Sequence, residues 1–244
     1  VRVPQGMVEP ALRGLRALGF KGANVTNPYK MEAARFLDEL REEAGLLGAV
    51  NTVVNEGGRL IGYNTDVKGF QAFLGEIGLS IAGMSVLLIG AGGASRAVAL
   101  AVAREGAARI YIMNRTREKA LAEAELLKSA NPATEISVRE FDHIGSRVLG
   151  ECEVVVNCTP LAAADGHELP LDYGDFAPGK WAVDLKYAGL GMAFLREASA
   201  RGARTADGEG MLLHQAAASF RLWTGETPPL ERMREAYRRA AAVD

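Results

Sequence analysis

Cysteine is nearly absent from this chain. Two in 244 residues, Cys152 and Cys158, are too few for a disulfide framework, and a reducing compartment is the simpler reading. Histidine is equally sparse: His143, His167 and His214 stand in no HExxH or CxxC-like spacing, so the sequence carries no metal-site signature. Neither sign of charge prevails, with 28 Lys and Arg against 30 Asp and Glu. There is no basic run with interleaved aromatics, and so nothing that suggests a nucleic-acid surface. A long uncharged apolar run is missing too. The nearest, GMSVLLIGAGGASRAVALAVA (83–103), contains Arg96 and several glycines and changes pattern halfway. It reads as a buried strand, a glycine turn and a helix, not as a membrane span. Repeats, low-complexity tracts and a signal peptide are not visible.

What remains is ordinary globular composition, 48% hydrophobic and 24% charged, in a chain long enough for one large domain or two modest ones. Met7, Val8, Leu12, Leu15 and Leu18 give a short amphipathic helix closed by Gly19. GFKGANVT reads as a strand, and YKMEAARFLDELREEAG (29–45) as one helix begun after Pro28. AVNTVVNEGGRLIGYNT gives two strands around Gly57-Gly58, and DVKGFQAFLGEIG a helix with Asp66 near its start. Beyond residue 80 strands (SVLLI, RIYIM, EISVRE, EVVVNCT, WAVDLKY) alternate with helices, which predicts an α/β unit with a parallel sheet. The tail is two helices. The expected organisation is a first lobe over 1–79, an α/β domain over 80–207, and C-terminal helices over 208–244 that pack back on the first lobe.

Two places carry chemistry. GAGGAS, Gly90 to Ser95, directly follows a buried strand and opens a helix, the context in which a dinucleotide fingerprint has meaning. Gly90 allows the tight turn, Gly92 lets backbone approach a pyrophosphate, and the helix start offers N–H groups to it. Where an NAD site would place Asp or Glu, the next strand ends in Asn114-Arg115-Thr116, with Arg117 and Lys119 behind. An arginine there suits a 2′-phosphate, so NADP is favoured over NAD. The second place is Lys30, at a helix start whose dipole disfavours an ammonium, and Asp66, at the start of another helix. A Lys–Asp pair can relay a hydroxyl proton while fixing the hydroxyl. Spacing alone does not bring the two together, and two ordinary surface charges would read the same way.

The set NVTNPYK (24–30), GAVNTVV (48–54), GYNTDVKGF (62–70), GAGGAS (90–95), NRT (114–116), NCTP (157–160), DLKY (184–187) and DGEGMLLHQAAASFRLWTG (207–225) resembles the shikimate dehydrogenase family over nearly the whole chain. The resemblance implies NADP-linked, reversible reduction of 3-dehydroshikimate to shikimate in the cytoplasm, within aromatic amino-acid biosynthesis. It implies a two-lobed α/β fold with a Rossmann-type NADP-binding domain, acting as a monomer or homodimer. Lys30 looks like the catalytic lysine and Asp66 its partner. Thr26, Asn51, Asp66, Gln215 and Tyr187 correspond to substrate-binding positions. Gly90, Ala91, Gly92, Gly93, Ala94, Ser95, Asn114, Arg115, Thr116 and Lys119 correspond to the NADP site, with Leu185 and Gly208 lining the nicotinamide.

Three departures temper the match. Nothing in residues 1–20 corresponds to the family's Ser-x-Ser pair for the substrate carboxylate. With Val1 at the start, this leads us to expect that an N-terminal strand–helix unit is missing from the chain. LAAADGHELP stands where a short Gly-Met loop is usual, and AGLGM where Pro and Thr follow the tyrosine. A quinate or other cyclitol dehydrogenase, or a non-catalytic NADP- or shikimate-sensing module, are the alternative readings. His214, Trp181, Trp223 and Cys158 read as packing residues.

Overall fold

The computed structural model describes residues 1–139, 147–160, 169, 171–187 and 192–241. Their contacts divide the chain into two compact units, Val1–Gly69 with Leu213–Asp244, and Phe70–Leu212.

The first unit holds α1 (Val8–Ala17), β1 (Gly22–Asn24), α2 (Lys30–Ala33), β2 (Glu39–Leu40), α3 (Glu43–Leu47), β3 (Thr52–Glu56) and β4 (Arg59–Tyr63). Its sheet runs β1-β3-β4-β2, antiparallel except where β2 pairs with β4 in parallel. Val8, Leu12, Ala33, Ala44, Val50, Val53 and Leu60 form a buried core against it. The single helix expected over 29–45 is not there. It stops after one turn of α2 and a 3-10 turn at Ala34–Phe36, because the edge of β4 offers better hydrogen bonds. Asp38 N donates to Leu60 O at 2.9 Å, Leu60 N to the Asp38 carboxylate at 2.7 Å, and Arg41 N to Gly62 O at 3.0 Å. The bond from Leu60 N, with help from Arg16, also holds the Asp38 carboxyl below its ordinary pKa.

α4 (Asp66–Glu76) runs into the second unit, which continues with β5 (Ser85–Ile89), α5 (Gly93–Arg104), β6 (Arg109–Met113), α6 (Arg117–Ala130) and β7 (Glu135–Arg139). Then follow α7 (Arg147–Gly150), β8 (Val154–Asn157), β9 (Trp181–Asp184), α8 (Met192–Ala200) and β10 (Arg204–Ala206). The six strands are parallel in the order β10-β9-β8-β5-β6-β7. From β5 the chain builds outward to β7, then restarts at β8 on the other side and builds to β10. That reversal between β5 and β8 is a topological switch point, where open α/β sheets bind ligands beyond the carboxyl ends of their strands. β5, β6, β8 and β9 are buried almost throughout, as strands covered by helices on both faces must be. β10 had no signal in the sequence: three residues, Arg-Thr-Ala, carry no apolar pattern, and pairing with β9 alone makes them a strand.

α9 (Glu209–Thr224) leaves the second unit for the first, and α10 (Leu230–Ala241) follows. The division between units thus falls inside α4 and α9, whereas the sequence leads one to expect boundaries after residues 79 and 207. Phe70 and Phe73 pack on each other, and a ring carbon of Phe73 lies where a side chain on Gly210 would begin. Among the described residues no helix is long and apolar enough to cross a membrane, and no group of three or more His, Cys, Asp or Glu could hold a metal ion.

Candidate active site

In the first unit the chain leaves β1, turns through Thr26–Tyr29 and enters α2 at Lys30. Tyr29 N donates to Thr26 O at 3.0 Å, and Val50 N to Lys30 O at 2.8 Å, so the turn is tied to the segment that becomes β3. Lys30 Nζ reaches Asp66 Oδ2 at 2.6 Å, and the two side chains are only 14% and 5% exposed. α2 has four residues, too few for the dipole argued from a long helix, so the nearby carboxylate is what sets the field at Lys30.

Asp66 is held from its other oxygen. Asn51 Nδ2 donates to Asp66 Oδ1 at 2.8 Å, to Thr65 Oγ1 at 2.8 Å and to Gln215 Oε1 at 3.2 Å. Asn51 Oδ1 in turn accepts from Thr65 N at 2.8 Å. Asn64 Oδ1 accepts from Asp66 N at 3.1 Å, fixing the first turn of α4. Behind these, Thr52 and Ser219 hydroxyls meet at 2.7 Å and Asn24 Nδ2 donates to Ser219 Oγ at 3.1 Å. Buried polar groups linked in this way rigidify one another. Lys30 therefore faces a carboxylate whose position is fixed by α4, β3 and α9 together. Thr26 is exposed, four residues before Lys30.

In the second unit, β5 ends at the glycine turn. Gly90 has φ of +113°, which favours glycine, and its N–H donates to Met113 O at 2.7 Å. Gly92 precedes α5 and is exposed; a Cβ there would meet nothing within 4 Å. Ala91 and Gly93 are buried and Ala94 half-buried, while Ser95 Oγ donates to Gly90 O at 2.7 Å and closes the turn from inside. At the end of β6, Asn114 Nδ2 donates to Thr116 O at 2.8 Å, and Arg115, Thr116 and Lys119 are exposed. The tip Asn114–Thr116 carries no carboxylate.

Leu185 and Gly208 are brought together: a Cβ on Gly208 would stand 2.1 Å from Leu185 O, and Gly208 N donates to Lys186 O at 2.8 Å. Tyr187 follows, exposed. Beside them lies a polar cluster that the sequence reading quoted but gave no role. Asp184, fully buried, accepts from Asn157 Nδ2 at 3.0 Å and from Lys186 N at 2.9 Å, and its Oδ2 is 3.2 Å from Lys186 Nζ. Burial raises the Asp184 carboxyl against these partners. Asn157 Oδ1 accepts from Thr159 N and Oγ1, and Thr159 Cγ2 would lie 3.2 Å from a Cβ on Gly90. NCTP and DLKY thus brace the end of the sheet beside the glycine turn.

Sequence reasoning also missed Asn64, Thr65, Thr52 and Ser219. The signal was in the quoted stretches, as polar residues inside runs that otherwise read as strand or helix core. Trp223 is a packing residue whose Nε1 donates to Val53 O at 2.9 Å. Burial pushes both thiols up, Cys152 to about 12, so they remain small protonated hydrophobes. His143, His167, nearly all of LAAADGHELP and most of AGLGM lie outside the described residues.

The strand order and its glycine turn define a Rossmann-type unit. Comparison with known proteins is more specific. Residues 1–53 match the shikimate dehydrogenase substrate binding domain, 74–164 the shikimate/quinate 5-dehydrogenase domain, and 208–236 the shikimate 5′-dehydrogenase C-terminal domain. The NADP(+) shikimate dehydrogenase of Moorella thermoacetica is 42% identical over 98% of this chain and 81% of its own length. Shikimate 5-dehydrogenase of Thermus thermophilus, solved with NADP(H) and shikimate, superposes with a TM-score of 0.84 at 38% identity, over 98% of this chain and 85% of that one. Quinate dehydrogenase of Corynebacterium glutamicum, solved with NAD, gives a TM-score of 0.86 at 34% identity, over 94% and 81%. The chain belongs to the shikimate dehydrogenase family.

Proposed function

We propose that this protein is an NADP-dependent shikimate dehydrogenase, interconverting shikimate and 3-dehydroshikimate. The observation that carries the reading is the Lys30–Asp66 pair at 2.6 Å, set in a largely buried, hydrogen-bonded frame. Oxidation of a carbinol removes a hydride from carbon and a proton from oxygen. The cofactor, when bound, accepts the hydride. Lys30 handles the proton: in oxidation the lone pair of its neutral amine takes the proton from the substrate hydroxyl, in reduction the ammonium so formed returns it to the carbonyl oxygen, and one N–H stays on Asp66 throughout. Asp66 fixes the lysine and stabilises its charged form as the proton arrives. Asn51, its amide committed to Asp66, Thr65 and Gln215, serves substrate by holding those groups in place. Thr26 and Gln215 supply further contacts to a polyhydroxylated ring.

The residues present suit a dinucleotide. Gly92 leaves open space in front of backbone N–H groups at the start of a twelve-residue helix. Arg115, Thr116 and Lys119 offer charge and hydroxyl to a 2′-phosphate, and Leu185 with Gly208 gives an apolar backing for the nicotinamide. Arg115→Ala should raise the KM for NADP about ten- to hundredfold, the worth of a charge-assisted phosphate contact, and leave that for NAD nearly unchanged. Equal effects on both cofactors would remove Arg115 from phosphate recognition.

A second reading, a quinate dehydrogenase using NAD, draws on the likeness to the Corynebacterium enzyme. The carboxylate-free strand tip opposes it. Absorbance at the reduced-nicotinamide band, with shikimate or quinate and NADP or NAD, decides between them. Shikimate with NADP should give the highest kcat/KM. Faster reduction with quinate and NAD would favour the second reading, and NADP binding without turnover on either acid would favour the sensing module.

A further inference from the structure

Glu123 is the one fully buried glutamate among the described residues, and the reaction has no use for it. It projects from α6 to within 2.8 Å of Ser95 Oγ through Oε1, while Oε2 meets no hydrogen-bond partner among the described residues. Ser95 Oγ is also 2.7 Å from Gly90 O. The hydroxyl therefore lies between two acceptors, a carbonyl and a carboxyl oxygen, with a single hydrogen to give. Both contacts are satisfied only if the second hydrogen sits on Glu123, so that carboxyl donates to hydroxyl and hydroxyl donates to carbonyl.

We propose that Glu123 is a positioning residue for cofactor binding: its protonated carboxyl keeps the Ser95 hydroxyl on the Gly90 carbonyl, and loss of that proton to solvent loosens the glycine turn and weakens NADP binding. The inference rests on the dinucleotide reading of Gly90–Ser95. Once ionised, Glu123 competes for the Ser95 hydrogen and strips Gly90 O of its partner. It also places a negative charge, poorly screened, behind a turn that receives a pyrophosphate.

The surroundings favour the neutral acid. Burial is the dominant influence, only partly offset by Ser95 and by the charge of Arg96 on α5, and it pushes the carboxyl up to about 8. Beyond β8, Cys158 also faces it; that thiol lies within hydrogen-bond reach of Ser95 as well, and Asp184 and Lys186 act on it in turn. On α6 itself Lys119, one turn earlier, is exposed. The folded pKa lies above the unfolded value, so the stability Glu123 contributes is complete below the unfolded pKa and is lost as pH rises through about 8.

The test is NADPH affinity by fluorescence titration from pH 7 to 9.5 on the full chain, for wild type and for Glu123→Gln, Ser95→Ala and Cys158→Ala. Wild type should weaken roughly ten- to thirtyfold across that range, as one proton leaves near pH 8. Glu123→Gln keeps a donor on Ser95 at every pH, so it should match wild type at pH 7 and stay flat. Ser95→Ala removes the bridge and should bind weakly at pH 7 with a much smaller alkaline decline. Cys158→Ala should retain the wild-type profile. An unchanged decline in Glu123→Gln, or in Ser95→Ala should Glu123→Gln not fold, would overturn the inference while leaving NADP binding intact. So would its loss in Cys158→Ala. No NADPH binding by wild type at pH 7 would instead overturn the dinucleotide reading, and this inference with it.

Discussion

Lys30→Ala should cut turnover about a thousandfold, within the range that a positioned acid–base group supplies, with KM for shikimate changed only a few-fold. The Lys30 amine is the group that exchanges a proton with the substrate oxygen, whereas substrate contacts come from several other side chains. Stability should fall as well. Asp66, 5% exposed, would keep its charge without its cation, and breaking a buried pair costs about 3–5 kcal/mol. The Lys30 end is 14% exposed, so partial solvation should hold the loss to about 3 kcal/mol or less. The two effects can be separated. Lys30→Ala combined with Asp66→Asn removes the stranded charge and should recover much of the stability, read by urea unfolding, but none of the turnover. Turnover near wild type in the single variant would end the assignment of Lys30 as the proton-handling group.

That pair also marks where sequence reasoning reaches its limit. Nothing in the spacing of residues 30 and 66 says that they meet. They do so because β3 and β4 form a hairpin whose ends carry Asn51 and Asn64–Asp66 to the start of α2, a tertiary fact that only the likeness to a known family could suggest. The glycine turn was legible because it is local: a buried strand, Gly90 and a helix start are adjacent in the chain. The helix expected over 29–45 failed for the opposite reason. Its residues have helical pattern and propensity, but Asp38 and Arg41 find partners on β4, and pairing with a distant strand outweighs a weak local preference. Glu123 was invisible for a related reason. On α6 it reads as another surface charge in a polar helix, and only the packing of that helix turns it toward Ser95. The Asp184–Lys186 pair, two residues apart on a strand end, is nearly dry for the same reason.

Gly90 and Gly92, two residues apart, should fail in different ways. Gly92 has φ of −111° and ψ of −172°, extended backbone open to any residue, and its missing Cβ faces empty space. Gly92→Val should therefore leave the unfolding midpoint almost unchanged, as substitutions that touch nothing usually do within about 0.5 kcal/mol. Yet a branched side chain there would occupy the space through which a pyrophosphate approaches the N–H groups of α5. Losing two charge-assisted hydrogen bonds, each worth about 1.5–3 kcal/mol, weakens NADP binding on the order of a hundredfold or more. Gly90→Ala behaves differently. At φ of +113° a side chain is strained, and its Cβ would press on Thr159 and on the Cys158 backbone at 3.2–3.3 Å. That conformation costs about 1–3 kcal/mol before the cofactor is considered, so Gly90→Ala should lower stability and affinity together. Calorimetric titration with NADP beside thermal unfolding reads both variants. If Gly92→Val bound NADP as wild type does, the turn would not be the pyrophosphate site, and the open space before α5 would need another occupant.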